Sequence, residues 1–184
     1  RGLPRLAGFA TIASTGTLFA ALAQATPEAT GAALYYLIHS TLAGGLLFLT
    51  ADLARQGARG PVALLVMTGA IAAVGLPPLS GFPAKLMVLL AIQDEAMTLY
   101  WPAMLASSFL LLLAFSRTGS DLCWKLEPQG PAPGPLRLVP AFGLLALLAG
   151  LTLGAGPVMR WLDATAQSLH DPSAYIAANR LGEE

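Results

Sequence analysis

The sequence predicts an all-α, polytopic transmembrane helix bundle of about six membrane helices, one of them broken. Three observations carry that expectation. The chain has 184 residues, 55% of them hydrophobic and 11% charged, where a soluble domain carries about 25% charged residues. The charges leave long gaps: 22 residues between Arg5 and Glu28, 23 between Glu28 and Asp52, 25 between Arg59 and Lys85, 21 between Glu95 and Arg117, and 22 between Arg137 and Arg160. Roughly 20 apolar residues cross a ~30 Å hydrocarbon core, whereas a soluble amphipathic helix shows a charge on its outer face every turn or two. Finally, ten Lys and Arg balance ten Asp and Glu, so no net field draws in nucleic acid or an acidic partner. One cysteine, Cys123, excludes an internal disulfide framework and a cysteine-based zinc cluster.

The first span runs from about Leu6 to Ala23 and is rich in small and hydroxyl residues (Ala10, Thr11, Ala13, Ser14, Thr15, Gly16, Thr17). Such residues favour close helix packing in lipid. A turn from Gln24 to Thr30 holds Pro27, and the second span covers about Gly31 to Ala51 with His39 near its middle. Asp52 to Gly60 reads as a polar loop. Pro61 to Gln93 then offers 33 residues with one charge, Lys85. At 1.5 Å per residue this is about 50 Å of helix, too long for one straight span and too short for two with a loop. The segment GLPPLSGFP, Gly75 to Pro83, resolves the difficulty. Pro77 and Pro78 disfavour helix at the residues before them and Pro78 lacks an amide donor. One helix is therefore expected to end near Gly75. A second begins near Ser80 as its N-cap, runs past Gly81, and carries Lys85 about one turn in.

Tyr100 and Trp101 stand where interfacial aromatics usually stand, ahead of a span from about Trp101 to Ser116. Arg117 to Arg137 reads as a Pro- and Gly-rich loop, and Leu138 to Ala155 as the last span. Val158, Leu162, Thr165 and Leu169 recur at helical spacing within Pro157 to His170, which predicts a short amphipathic helix on the membrane surface anchored by Trp161. Residues 177–184 are expected to fray. The expected division is thus a transmembrane bundle, 1–156, and a surface helix with tail, 157–184. If residues 82–93 cross fully, Arg and Lys divide almost evenly between the two sides. If they and the next piece form one broken span, Arg1, Arg5, Arg55, Arg59, Arg117, Lys125 and Arg137 share one side, the cytoplasmic one by the positive-inside rule.

Lys85 is the only fully charged side chain inside an otherwise apolar run. An intramembrane lysine costs ~2.5–3.5 kcal/mol on insertion scales. Beside a helix break, whose freed backbone groups need water or protein partners, it reads as a proton carrier in a cavity. The competing reading is a lysine snorkelling to an interface. His39 suits a proton relay, with Tyr35 and Tyr36 one turn before it and Ser40 and Thr41 beside it to hold water. The competing reading is a satisfied buried histidine. His170, in the surface helix, is expected to be solvated. No paired carboxylates, phosphate-binding glycine loop or histidine metal cluster appears, and IASTG around Ser14 has no nearby general base. Enzyme chemistry is therefore not expected. Nor is an organic cofactor, whether flavin, quinone or nucleotide, nor a bound metal.

AVGLPPLSGFPAKLMVLLA, Ala73 to Ala91, resembles a signature of the proton-translocating antiporter-like subunits: the large membrane subunits of respiratory complex I and their counterparts in multisubunit Mrp-type (Pha/Mnh) cation/proton antiporters. YYLIHSTLAGGLLFLTADL, Tyr35 to Leu53, is most similar to the D subunits of the Mrp type. LPRLAGFATIASTGTL, SSFLLLLAFSRTGSDLCWK and DATAQSLHDPSAYIAA agree with it, in order along nearly the whole chain. The resemblance implies a 14-helix inverted-repeat protein of which this chain is the C-terminal part, the second half of the fold. The opening Arg fits a fragment of something longer. The resemblance also implies that Lys85 matches the lysine of the broken helix in the outlet half-channel and His39 the histidine feeding it. Three departures stand out: Gly44 where many relatives have a second lysine, Pro4-Arg5 in place of Lys-Arg, and Phe9 in place of Tyr.

The expected function is then a subunit of a multisubunit monovalent cation (sodium or potassium):proton antiporter in the cell inner membrane. Lys85, His39, Tyr35, Tyr36 and Ser80 would supply part of the path for protons and cations. Its partners would be the other subunits and membrane lipid, not nucleic acid. A proton-pumping subunit of NADH:quinone oxidoreductase and a non-conducting scaffold are the alternatives.

Overall fold

The computed structural model describes residues 2–55, 60–124 and 134–179. These form α1 (Leu3–Leu22), α2 (Pro27–Arg55), α3 (Gly60–Val74), α4 (Gly81–Leu90), α5 (Asp94–Trp124), α6 (Pro135–Leu153), α7 (Ala155–His170) and α8 (Ser173–Asn179), with no strand among the described residues. Four of them, α1, α2, α5 and α6, are long and apolar enough to cross a membrane. The shorter apolar helices α3 and α4 are the two halves of the broken crossing. The chain is a multi-pass membrane protein built as a helical bundle with six apolar segments.

Helix α2 is the hub, packed by α1, α3, α4, α6 and α7. Its inward face is small and close-packed: Ala29, Ala32, Ala33, Ala43 and Ala51 are buried, with Leu46 and Leu47 filling the gaps. Small residues let helix backbones approach where lipid supplies no hydrophobic drive. At Gly31 an added Cβ would lie 2.5 Å from Asp163 Oδ1 and 3.3 Å from Met159 Cε of α7. The helix starts earlier than expected because Thr26 accepts the Ala29 amide at 3.2 Å, Pro27 occupies the first turn without a wasted donor, and Glu28 complements the helix dipole. Only a short turn separates it from α1, and Ala25 takes a left-handed conformation there (φ 52°).

Two further boundaries differ from expectation. The predicted loop from Arg117 begins inside α5, which continues to Trp124. Nothing in that stretch breaks a helix, and Gly119 lets Met67 Sδ of α3 come within 3.3 Å of where its Cβ would be. The rest of the predicted loop, Lys125 to Pro133, lies outside the described residues, as do Arg1, Arg59 and 180–184. The expected frayed tail is helical to Asn179. Asp171 accepts the Ser173 amide at 3.1 Å to start α8, and hydrogen bonds from Ser173 hold its carboxyl below the usual value. His170 is not merely solvated either, since its Nε2 pairs with Thr30 Oγ1 at 2.9 Å.

Side-chain contacts fix which ends meet. Gln93 Nε2 donates to the Gln24 carbonyl at 3.1 Å and the Gln93 amide to Gln24 Oε1 at 3.2 Å. The α1–α2 and α4–α5 turns therefore share one end of the bundle. At the opposite end an added Cβ on Gly2 would meet Thr118 at 3.5 Å. Helix α6 runs antiparallel to α2, with Tyr35 Oη on the Leu151 carbonyl at 2.9 Å and Leu144 Cδ1 3.3 Å from where a Cβ on Gly45 would lie. Consequently α4 completes the crossing begun by the preceding α3, rather than joining the span after it, and the two make one net crossing. Arg5, Arg55, Arg117 and Arg137 lie toward one end, Glu28, Asp94 and Glu95 toward the other.

Candidate functional site in the broken crossing

Helix α3 ends in a motif dictated by Gly75. At φ +86° this residue takes a left-handed conformation that costs other residues roughly 1–2 kcal/mol. The reversal lets the Leu76 amide bond the Ile71 carbonyl at 3.0 Å and the Gly75 amide the Ala72 carbonyl at 3.2 Å, the pattern of a Schellman cap. It leaves the last carbonyls, Ala73 and Val74, unsatisfied by backbone. Lys85 supplies them. Its Nζ donates to Val74 O at 2.8 Å and Ala73 O at 3.3 Å, and its third proton goes to Ser108 Oγ of α5 at 2.8 Å. An ammonium at a helix C-terminus is also favoured by the helix dipole. All three acceptors are uncharged, so a proton can leave the lysine without stranding a carboxylate.

Ser80 precedes α4 but does not cap it. Its backbone is already helical (φ −59°, ψ −12°), and the extended backbone that aims a side-chain oxygen at the next free amides is missing. The hydroxyl instead pairs with His39 Nδ1 at 2.9 Å, both groups being buried. The His39 ring also meets the Ala72 carbonyl. Pro77 and Pro78, joined by a cis peptide bond, lie between the end of α3 and the start of α4.

Two glycines close the gap between His39 and Lys85. A Cβ on Gly81 would overlap Ala72 O, and would lie 3.0 Å from Gly75 Cα and 3.1 Å from His39 Cε1. A Cβ on Gly75 would lie 2.7 Å from Lys85 Cδ and 3.1 Å from Gly81 O. The contact chain therefore runs His39, Gly81, Gly75, Lys85, with backbone against backbone at its centre.

The other predicted residues divide. The Tyr36 ring sits 6.0 Å from that of His39, and its hydroxyl meets Ser14 and Thr17 of α1. Tyr35 is drawn away, its hydroxyl spent on the Leu151 carbonyl. Ser40 and Thr41 both donate to the Leu37 carbonyl of their own helix. Trp101 does not stand free at an interface: its Nε1 bonds the Leu89 carbonyl at 3.0 Å and ties α5 to the end of α4.

Sequence reasoning missed Ser108. The pair Ser107-Ser108 in an otherwise apolar run was the available signal, but its register against Lys85 is a tertiary fact. Lys85 and Ser108 line a cavity of about 260 Å³ walled by Phe82, Leu86, Met104 and Phe109. A second cavity of about 320 Å³, lined by His39, opens between α1 and α2. Among the described residues no group of His, Cys, Asp or Glu could hold a metal ion.

Comparison with known proteins agrees with this architecture. No protein-family model matches the chain. It is 33% identical, over 91% of its length, to the D subunit of the Na(+)/H(+) antiporter of Bacillus subtilis, and covers 38% of that protein. It is 28% identical, over its full length, to the D subunit of a probable K(+)/H(+) antiporter of Rhizobium meliloti, and covers 43% of it. The N subunit of the NADH-quinone oxidoreductase of Heliobacterium modesticaldum is 30% identical over 65% of the chain, which covers 26% of that subunit. The chain thus spans about two fifths of the antiporter subunits it matches. Among solved structures, the Mrp complex from Dietzia sp. aligns with a TM-score of 0.76 at 19% identity, over 96% of this chain and 48% of that one. That match shows the fold, over about half the length of the matched chain.

Proposed function

From its kinship with the D subunits of monovalent cation/proton antiporters, we propose that this chain supplies part of the ion path of a multisubunit sodium or potassium:proton antiporter in the cell inner membrane. The observation that carries the reading is Lys85, an ammonium set on the orphaned carbonyls of Ala73 and Val74 and on Ser108. Lysine is here a proton carrier: three neutral acceptors orient Nζ, and Ser108 Oγ is the first group to which its proton can pass. His39 is the relay on the other side of the break, held by Ser80, with Tyr36 beside it. The positive forms of His39 and Lys85 repel over the short path through Gly81 and Gly75, which favours one proton at a time on the pair.

The positive-inside rule places the end with Arg5, Arg55, Arg117 and Arg137 in the cytoplasm. The end with Glu28, Asp94 and Glu95 then faces outward, where α7 and α8 form a surface element beside the bundle. The remaining subunits of the complex are the expected partners. One test is Lys85→Ala in the assembled complex, assayed in everted vesicles for cation-driven pH change. Antiport is expected to vanish while assembly stays normal. Intact antiport would mean a scaffold role instead.

The kinship to the N subunit of an NADH-quinone oxidoreductase favours a second reading, a proton-translocating subunit of such an enzyme. Co-purification with NADH-oxidising subunits would select it.

A further inference from the structure

Helices α4 and α5 follow one another in the chain yet scarcely touch. Helix α4 packs on α2 and α3, and α5 packs on α1 and α3. Two side chains bridge them: Trp101 Nε1 reaches the Leu89 carbonyl at 3.0 Å, and Lys85 Nζ reaches Ser108 Oγ at 2.8 Å. Beside these ties lies the cavity of about 260 Å³. Its mouth is apolar, for Leu76, Phe82, Leu86, Leu105 and Phe109 line it and are exposed at the bundle surface. The half-buried Lys85 and Ser108 lie deeper, Ser108 halfway along α5 and far from either end of the bundle. Among the described residues no acidic side chain lines the cavity. A cation held only by neutral dipoles in apolar surroundings keeps its charge uncompensated, whereas charges inside a membrane are ordinarily paired. The walls therefore suit hydrocarbon and the deep end suits an anion.

We propose that this cleft binds a long-chain fatty acid, with its carboxylate on Lys85 and Ser108 and its chain along the walls of α4 and α5. The headgroup of an anionic phospholipid stays at the membrane surface, whereas an undissociated fatty acid enters the hydrocarbon uncharged. On an unprotonated Lys85 the proton moves from the carboxyl oxygen to Nζ. Carboxylate and ammonium form together, and no net charge enters the membrane. An ionised acid meeting the ammonium gives the same pair. The lysine has a proton to offer, because its bond to the Ala73 carbonyl, at 3.3 Å, is the longest of its three and is the one a carboxylate oxygen replaces. Ser108 Oγ accepts from Lys85 and can give its own proton to the second oxygen. Both contacts are charge-assisted. The bound acid holds the proton on Lys85 and so blocks antiport. That consequence rests on the reading of Lys85 as a proton carrier, while the binding itself does not.

The assembled antiporter in phosphatidylcholine nanodiscs, irradiated with palmitate that carries a diazirine in its chain, tests this by mass spectrometry of the labelled peptides. Label is expected on α4 and α5 around Phe82, Leu86, Leu105 and Phe109, displaced by palmitate but not by hexadecanol, which lacks the carboxylate. Lys85→Met keeps the stem and removes the ammonium. It is expected to cut the label about tenfold or more, as for the loss of a buried ion pair. Leu105→Trp, which fills the mouth, is expected to cut it as well, while Leu147→Trp on the exposed face of α6 leaves it unchanged. No label in the cleft, label that hexadecanol displaces equally, or label undiminished in Lys85→Met refutes the site. A protein segment filling the cleft in the complex gives the first of these results. Should Lys85→Met fail to assemble, the hexadecanol competition and Leu105→Trp decide. In everted vesicles palmitate is expected to inhibit the wild type more than Leu105→Trp, a comparison that cancels any proton leak through the acid itself, and equal inhibition overturns the block. If Lys85→Ala transports normally while the label depends on Lys85, the proton carrier is wrong and the fatty-acid site stands.

Discussion

Helix α6 and the α3–α4 pair are both apolar crossings, yet only the second holds a lysine within it. Helix α6 runs unbroken for 19 residues. Its Gly143 and Gly150 face open space, and its Leu151 carbonyl serves a side chain of another helix, Tyr35 of α2. The α3–α4 crossing spends 25 helical residues in two pieces, and its glycines at the break are jammed against backbone and against Lys85. The difference lies in the carbonyls. An unbroken helix consumes its own acceptors, whereas a break frees several and makes room for a cation to collect them. The interruption creates the lysine's place, and the lysine does not need a carboxylate to occupy it.

The comparison breaks first at its glycines. Gly81→Ala would force a Cβ into the Ala72 carbonyl, where backbone cannot yield, and is expected to cost ~3 kcal/mol or more in line with severe overpacking. Gly143→Ala is expected to be neutral or to stabilise by up to ~1 kcal/mol, as Ala outranks Gly in a helix. Melting of the detergent-solubilised complex would show both, and equal effects would erase the contrast between the two crossings. A comparable effect is expected from Lys85→Met. It keeps the stem's volume but leaves the Ala73 and Val74 carbonyls without their donor, at about 1–3 kcal/mol for each group left unsatisfied. A melting point unchanged by this substitution would mean that water already serves those carbonyls. Smallest is Tyr35→Phe, which removes one hydrogen bond between α2 and α6 worth about 1 kcal/mol. Antiport should be untouched, because that hydroxyl points to the unbroken crossing; a loss of transport would bring Tyr35 back to the path.

Much of the bundle is legible in the residues alone. Charge gaps mark the apolar segments, and two successive prolines mark the break, because hydrocarbon tolerates neither unpaired charge nor unpaired backbone. Sidedness is not legible in the same way, since two short pieces can make one crossing or two. The Gln24–Gln93 pairing resolves it, and no local pattern announces a contact between two loop glutamines. Ser80 reads as a cap from its position, but a buried histidine offers its hydroxyl a better partner. Helix α5 outruns its expected limit because hydropathy reports the membrane's edge, whereas a helix stops only where its backbone must.

Composition and order alone determined that this chain lives in a membrane, where it bends, and which two titratable groups stand within its apolar segments. Those are consequences of solvation, which each residue carries with it. Only the tertiary structure decided what those groups touch: Ser108 for the lysine, Ser80 for the histidine, two glycines between them. Such choices depend on the angular register of helices far apart in the chain, and register is settled by the packing of whole faces rather than by any one residue.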